Sequence, residues 1–243
     1  MAVDERTVEV TLNYGGKSCP FRLFDTPLGH RVFKDIMAGA TYPLQPYFGE
    51  VRTIVDIGAN VGAATAFFAL CYPAARVLSF EPSPQTYALL AYNTQALANV
   101  AVFNVGLADK NARTLLYLGG QDSVTNSVQL SPENTGQSVT IELREAAAAL
   151  AEQRVTAIDI LKLDTEGCEI PILQSLAALV PSLGVLFVEY HDEADRLEID
   201  RLLSATHVLC SGRIHAVHRG ELCYIARSRL PRGAGGAQIR KIV

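Results

Sequence analysis

Four side chains able to hold or move a proton lie near the ends of two apolar runs in the second half of the chain. Lys162 and Asp164 alternate at the end of the first run, and Glu166 follows two residues later. His191 comes directly after the second run. Residues two apart on a strand face the same side, and the carboxyl ends of parallel strands are where α/β sheets bind ligands. We therefore predict a catalytic cluster of these four residues, with Glu169 and Glu189 as acidic neighbours.

This combination of acids, an amine and an imidazole suits the activation of a hydroxyl group. An alcohol is a poor nucleophile until its proton leaves, so a base within hydrogen-bond reach promotes transfer of a group to its oxygen. His191 needs the smallest pKa shift to serve near neutrality, whereas Asp164 or Glu166 would need partial desolvation. Lys162 could orient the acceptor or stabilise the developing alkoxide. The choice among the three bases stays open at this point.

No metal site is predicted from the sequence. The same acids could hold Mg²⁺ through oxygen ligands, but the chain has no D-x-D spacing suited to a preformed site. Metal dependence is therefore compatible with the residues but not favoured.

An earlier pair of apolar runs ends in residues suited to a nucleoside. Asp56 ends the first run, and Gly58 follows, where the absence of a side chain permits a tight turn and close approach of a ligand. The next run ends at Glu81 and Pro82, and Glu81 comes 25 positions after Asp56. A carboxylate there can accept hydrogen bonds from both ribose hydroxyls.

The glycine spacing indicates which cofactor is bound. Dinucleotide binding requires G-x-G-x-x-G, whereas the matching positions here are Gly58, Asn60 and Ala63. The glycine that faces a pyrophosphate is missing and the loop contains no Lys or Arg, so a ligand with an ammonium group, such as S-adenosylmethionine, fits better. An NAD(P)-dependent oxidoreductase is the alternative reaction class. A catalytically inactive binding module is the non-enzymatic alternative, and it would be expected to lose Asp56, Gly58 or Glu81.

Alternating strands and helices position these residues and predict a doubly wound α/β fold with a parallel sheet. The predicted strands are 53–57, 76–81, 100–105, 158–163 and 185–190, and the predicted helices are 61–71, 84–96, 145–153, 168–178 and 194–204. Extended segments at 114–118 and 139–143, around a polar loop at 123–127, predict a β-rich insertion near the substrate. Three closing antiparallel strands are expected at 206–210, 214–218 and 222–227.

The remaining segments lie at the two ends of the chain. Residues 6–13 and 19–24 predict a β-hairpin, and 28–47 predict a broken helix able to lie across the sheet as a lid. The expected organisation is a hairpin and lid segment at 1–50, a catalytic domain at 51–230 and a basic, Gly-rich tail at 231–243.

Composition limits the class of protein. A chain of 243 residues with 49% hydrophobic content can bury the core of one α/β domain. The formal charge of −4 argues against nucleic acid and anionic membranes as partners. Five scattered cysteines, and the lack of a leader or spanning run, predict a cytoplasmic protein. A small molecule is the expected partner, and a homo-oligomer is compatible with the sequence.

The order of the motifs resembles the FkbM-type family of S-adenosylmethionine-dependent methyltransferases. The motifs, which cover about residues 50–195, are V-D-I-G-A-N-V-G at 55–62, F-E-P-S-P at 80–84, G-L-A-D at 106–109, K-L-D-T-E-G-C-E at 162–169 and V-E-Y-H at 188–191. The resemblance implies a class I methyltransferase fold, Rossmann-like, with a mostly parallel seven-stranded sheet. It also implies methyl transfer to a hydroxyl of a sugar, polyketide or other natural-product intermediate, with S-adenosylhomocysteine as product.

The same resemblance implies roles for individual cofactor-binding residues. Asp56, Gly58 and Asn60 would border the methionine part, Glu81 the ribose, and Leu107 with Asp109 the adenine. Two loop residues, Ala59 and Pro82, complete the predicted cofactor-binding set. Arg144 departs from the family, which often has Asp at this position.

Overall fold

The structure is a computed structural model that describes residues 7–14, 16–44, 48–119 and 134–230. The predicted basic tail at 231–243 and the predicted polar loop at 123–127 lie outside the described residues.

The described residues form strands and helices close to the predicted positions. The strands are β1 Thr7–Tyr14, β2 Lys17–Phe24, β3 Thr53–Ile57, β4 Arg76–Phe80, β5 Val100–Phe103, β6 Gly106–Ala108, β7 Ala112–Gly119, β8 Asn134–Glu145, β9 Ile160–Leu163, β10 Val185–Tyr190, β11 His207–Ala216 and β12 Arg219–Ala226. The helices are α1 Pro27–Met37, α2 Ala63–Cys71, α3 Pro84–Thr94, α4 Ala146–Glu152, α5 Glu169–Ser175 and α6 Glu193–Leu203. Among the described residues, no helix combines the length and hydropathy that crossing a bilayer requires.

The central sheet has seven strands in the order β11-β12-β10-β9-β3-β4-β5. The five strands from β10 to β5 are parallel, and β12 and β11 continue the sheet in antiparallel pairing. The predicted mostly parallel seven-stranded sheet is therefore confirmed. The strand order reverses around β3, and open α/β sheets bind ligands in the crevice that such a reversal creates at the carboxyl ends of the strands.

Both faces of the sheet are buried, which explains why the central strands are almost continuously apolar. Val55 and Ile57 face one hydrophobic core, which includes residues of α4, α5 and α6. Ile54 faces the other core, which includes residues of α2 and of the N-terminal segment. Alternate side chains of one strand thus serve opposite cores, and the strand end is fixed rigidly between two helical layers.

The N-terminal hairpin and α1 pack against the helices on one face of the central sheet, with β2 against α3 and α1 against α2. Strands β1 and β2 pair antiparallel, and Phe21 and Leu23 lie buried in the same core as α2. Helix α1 begins where the Thr26 hydroxyl oxygen accepts a hydrogen bond from the Gly29 N–H at 2.9 Å, an N-cap that satisfies an otherwise free donor. Tyr42 follows α1 and is buried against Phe187, with ring centroids 5.2 Å apart.

The predicted β-rich insertion forms a separate three-stranded sheet in the order β6-β8-β7. Its two long strands, β7 and β8, contain the predicted extended segments and pair antiparallel, while β6 pairs parallel with β8. In this sheet the Arg144 side chain forms an ion pair with Glu152.

The prediction of three closing strands is wrong, because the structure has two in this region. Ser211 and Gly212 look like turn residues in the sequence, yet they pair with Cys223 and Leu222 within one continuous strand, β11. A register shift between Leu209 and Ser211 accommodates the extra residue, as a β-bulge does. The tight turn comes later, between β11 and β12.

Candidate functional site

The turn from β3 to α2 requires glycine at its first position. Gly58 has φ +79°, and a Cβ atom built on it would lie 1.7 Å from the carbonyl oxygen of Asp164. The Gly58 and Ala59 N–H groups both donate to the carbonyl oxygen of Phe80 at 3.0 Å. Because the backbone directly after β9 leaves no room for a side chain, the turn is held tightly against Asp164 at the end of that strand.

Glu81 is buried at the end of β4 and supports the same turn. Its Oε2 accepts from the Asn60 N–H and its Oε1 from the Ser83 N–H, both at 2.9 Å. Burial raises the pKa of Glu81 to about 7, although these two hydrogen bonds act in the opposite direction. Each carboxylate oxygen has a second lone pair, so Glu81 can still accept hydrogen bonds from a ligand.

A cavity of about 90 Å³ lies beside Glu81, Pro82 and Asn60. Its opposite wall is apolar and comes largely from the three-stranded sheet, through Leu107, Leu116, Ile141 and Leu143. An apolar wall facing a few polar groups is the usual form of a small-molecule site and suits a nucleoside. The sequence analysis named Leu107 but missed the other three wall residues. We call this space the smaller cavity.

The wall of the smaller cavity does not include three predicted cofactor-binding residues: Asp56, Ala59 and Asp109. Asp109 is exposed; burial, together with the charges of Glu169 and Asp109, raises the pKa of Cys168, which does line the cavity. Asp56 is completely buried. Its Oδ2 accepts a 2.7 Å hydrogen bond from the Thr65 hydroxyl, so this side chain supports the turn from within the protein.

Lys162 connects Asp56 to the predicted catalytic residues. Its Nζ lies 3.2 Å from Asp56 Oδ1 and 3.4 Å from Asp164 Oδ2, and it donates a hydrogen bond to the Gly58 carbonyl oxygen. Burial alone would lower the pKa of Lys162, but the two carboxylates raise it well above its ordinary value. Lys162 is therefore a buried cation that holds β3, the turn and the end of β9 together.

Asp164 and Glu189, at the ends of neighbouring strands, lie close enough for each to shift the pKa of the other. Burial and the nearby charges of Asp164 and Glu166 raise the pKa of Glu189 far above its usual range. Burial would also raise the pKa of Asp164, but Lys162 and the neighbouring Glu189 hold it low. One carboxyl group is thus protonated while its neighbour stays ionised, as expected for two acids in close contact.

Glu166 occupies a backbone conformation that few residues other than glycine adopt. Its φ is +56°, and Gly167 follows with φ +115°. The buried carboxylate of Glu169 holds this turn: its Oε1 accepts from the Thr165 N–H at 2.7 Å, and its Oε2 accepts from the Gly167 N–H at 3.0 Å. Non-glycine residues with positive φ persist where surrounding bonds fix them, and they cluster at functional sites.

Replacement of Glu169 by glutamine is expected to disturb this turn. The amide group would place a donor against one of two backbone N–H groups, leaving a buried donor unsatisfied at a cost of about 1–3 kcal/mol. We expect kcat of the reaction at this site to fall about tenfold or more, because displaced reactive groups lose rate. Denaturant unfolding and steady-state kinetics measure the two effects. An unchanged kcat would contradict the positioning role, and the exposed Glu142→Gln exchange is the control.

Two basic side chains contact Glu166. Arg219 Nη2 donates to Glu166 Oε2 at 2.9 Å, and His191 Nδ1 lies 3.8 Å from the same oxygen. Burial and the charge of Asp164 nevertheless raise the pKa of Glu166 to about 7. Burial would lower the pKa of His191, but Glu169 and Glu166 raise it. The structure therefore brings the predicted catalytic residues together, and it adds Arg219, which the sequence analysis missed.

Three of these residues could in principle hold a metal ion. Glu166, Glu189 and His191 can each direct one ligand atom so that all three atoms lie within 4.8 Å of one another. Arg219 already contacts both carboxylates, at 2.9 Å and 3.6 Å. The Arg219 guanidinium group thus already supplies the positive charge that a metal ion would bring to these two carboxylates.

A larger cleft of about 470 Å³ lies between α1, the β11–β12 hairpin and the strand ends. The predicted lid segment contributes α1 and Tyr42 to its wall. Asn60, Asp164 and Glu166 line both this cleft and the smaller cavity. The predicted catalytic acids therefore stand between two spaces, whereas His191 lines neither of them.

This sheet order, with a glycine turn, an acid at the end of β4 and a cavity at the strand reversal, defines a class I methyltransferase fold. Residues 56–209 match the methyltransferase FkbM domain. Because this match covers more than half of the chain, the chain belongs to the FkbM methyltransferase family, which uses S-adenosylmethionine. The resemblance found in the sequence motifs is confirmed.

Named relatives lie at low identity. The hexuronic acid methyltransferase AglP of Haloferax volcanii is 25% identical over 179 residues, covering 73% of this chain and 71% of the relative. The 2-O-methyltransferase NoeI of Sinorhizobium fredii is 24% identical over 154 residues, covering 58% and 63%. The crystal structure of methyltransferase FkbM from Methylobacillus flagellatus KT has a TM-score of 0.51 at 17% identity, covering 74% and 48%. The chain thus spans about two thirds of the curated relatives it matches.

Proposed function

We propose that this chain is an O-methyltransferase that transfers a methyl group from S-adenosylmethionine to a hydroxyl of a small molecule, with a sugar as the favoured acceptor. The observation that carries the proposal is that Asp164 and Glu166 line both the smaller cavity and the larger cleft. A cofactor in the first space and an acceptor in the second would meet at these acids. The relatives AglP and NoeI, a hexuronic acid methyltransferase and a 2-O-methyltransferase, support this reaction.

The residues around the smaller cavity fit the cofactor. Leu107 and its apolar neighbours suit an adenine ring, and Glu81 can accept from ribose hydroxyls. Gly58 lines the cavity at the turn that Glu81 also supports. When bound, S-adenosylmethionine supplies an electrophilic methyl group on a positively charged sulfur.

Glu166 is the proposed base that receives the acceptor's hydroxyl proton. Its pKa of about 7 balances a useful ionised fraction against basicity near neutral pH. Asp164 is a weaker candidate because Lys162 and Glu189 hold its pKa low. His191 lies behind Glu166 and outside both spaces, so we assign it a positioning role. Lys162 likewise fixes the turn and is not assigned to the acceptor.

Calorimetric titration of the full chain with S-adenosylhomocysteine and with NADH tests the cofactor assignment. We expect the first to bind and the second to show no heat. Glu81→Ala is expected to weaken S-adenosylhomocysteine binding about 10–100-fold, which corresponds to the loss of charge-assisted hydrogen bonds worth about 1.5–3 kcal/mol. NADH binding, or full affinity in the variant, would contradict the assignment. The exposed Glu142→Ala exchange serves as the matched control.

A further inference from the structure

The entrance of the larger cleft carries positively charged side chains on two opposed elements. Arg31 lies on α1 and Arg213 lies on β11; both are exposed and line the cleft, as does the neighbouring His215. The two elements meet where Arg213 Nη2 lies 3.8 Å from Asp35 Oδ2. This separation is too long for a hydrogen bond, so the contact is a loose ion pair between partly exposed groups.

The acidic residues at this entrance do not balance the two arginines. His215 Nε2 lies 3.5 Å from Glu221 Oε1. Burial and the charge of Asp164 raise the pKa of Glu221 to about 7, so part of its population is neutral near neutral pH. Burial and the nearby arginines lower the pKa of His215. The entrance therefore carries two guanidinium groups, those of Arg31 and Arg213, against the carboxylate of Asp35 and the partly neutral carboxyl of Glu221.

The depth of the cleft has the opposite character. Asp164, Glu166 and Glu189 line it, and of these Asp164 stays ionised beside Lys162. Acidic groups accept hydrogen bonds from hydroxyls and disfavour an anion at the same place. A single acceptor can bind both the basic entrance and the acidic depth of the cleft if its negatively charged group and its reactive hydroxyl lie at opposite ends of the molecule.

We propose that the methyl acceptor carries an anionic group, a carboxylate or a phosphate, that binds between Arg31 and Arg213 while a hydroxyl faces Asp164 and Glu166. Guanidinium groups bind planar carboxylates and phosphates through paired hydrogen bonds. The incoming anion would displace Asp35, whose loose and partly exposed ion pair contributes little stability. This inference rests on the proposed methyl transfer and specifies its substrate class.

Titrations with D-glucuronate, D-glucose 6-phosphate and D-glucose test the proposal on the full chain saturated with S-adenosylhomocysteine. We expect at least one anionic probe to bind about tenfold or more tightly than glucose, as expected for charge-assisted hydrogen bonds. Comparing the binding of D-glucuronate with that of D-glucose 6-phosphate distinguishes a carboxylate site from a phosphate site. Glucose binding as tightly as both anions, or no binding of either anion, would overturn the proposal.

Two substitutions with opposite expected effects on anion binding separate anion recognition from general damage to the cleft. Arg213→Ala is expected to weaken binding of the anionic probe about tenfold and to leave glucose binding unchanged. Asp35→Asn is expected to tighten binding of the anionic probe, because a competing carboxylate is removed. Equal losses in both variants would indicate a structural effect and overturn the proposal. Arg113→Ala, an exposed exchange on β7, is the matched control. Failure of S-adenosylhomocysteine to bind would instead reject the proposed function itself.

Discussion

Replacement of Glu166 by glutamine is expected to lower kcat by about 10²–10⁴-fold, the range that a positioned general base contributes. Glutamine preserves the size of the side chain but cannot accept a proton from the acceptor's hydroxyl. Binding of S-adenosylhomocysteine should change by only a few-fold, because Glu166 is one of several residues that line the smaller cavity. Isotope transfer from labelled S-adenosylmethionine measures the rate, and calorimetry measures the binding.

The pH dependence of the rate gives an independent readout of the same group. Burial disfavours the charged carboxylate, so the pKa of Glu166 is raised to about 7. A base must be deprotonated to act, so kcat/KM is expected to rise with pH through about 7 and to level off above it. The Glu166→Gln variant should lose this rise. An ordinary acid with a pKa near 4.5 would give a flat profile over this range.

His191 provides the alternative outcome of this experiment. Full loss of activity in His191→Gln, together with a nearly normal rate in Glu166→Gln, would assign the base to the imidazole. We expect instead that His191→Gln retains the pH-dependent rise and displaces its midpoint, because His191 Nδ1 lies 3.8 Å from Glu166 Oε2. The exposed Glu142→Gln exchange, which alters an acid on β8, should leave rate and profile unchanged.

Much of the fold was predictable from sequence because the regular βα units repeat a strong pattern. Each central strand is an apolar run followed by a turn and a helix, so the local pattern alone places Glu81 and Asp164 at strand ends. The bulged strand β11 was missed because Ser211 and Gly212 carry a turn signal. Their pairing with β12 overrides that local preference.

The site was less predictable where it depends on contacts between distant segments. Arg219 reaches Glu166 across 53 positions of sequence, and it comes from a hairpin whose register no local pattern reveals. Leu116 and Ile141 belong to an insertion whose strands are joined by a long connection. Alternation placed Lys162 and Asp164 on one side of β9, but the direction in which Asp56 points depends on the pairing of strands.

That pairing explains why Asp56 is buried away from the smaller cavity. Asp56 of β3 and Lys162 of β9 are direct partners in the parallel register. Neighbouring strands lie only about 4.8 Å apart, so an acid and an amine on the same face meet inside the sheet. Asp56, which the sequence motif predicted to border the cofactor, therefore stabilises the turn from inside the protein.

Replacement of Lys162 by methionine is expected to destabilise the fold by about 3–5 kcal/mol, the usual cost of removing one partner of a buried ion pair. Asp56 has 0% exposure and would keep only its hydrogen bond from Thr65. The Gly58 carbonyl oxygen would lose the donor that Lys162 provides. Denaturant unfolding at constant pH measures the loss, which is a large fraction of the roughly 5–15 kcal/mol typical of a domain.

A double substitution separates the charge effect from the loss of packing. Lys162→Met combined with Asp56→Asn removes both charges, and neutral replacement of a buried ion pair is often tolerated. The double variant should therefore be more stable than Lys162→Met alone, giving a coupling free energy between the two positions. Additive losses would mean that Asp56 and Lys162 do not act as a pair. The exposed Lys34→Met exchange on α1 should change stability by less than about 0.5 kcal/mol, because this side chain is exposed to water.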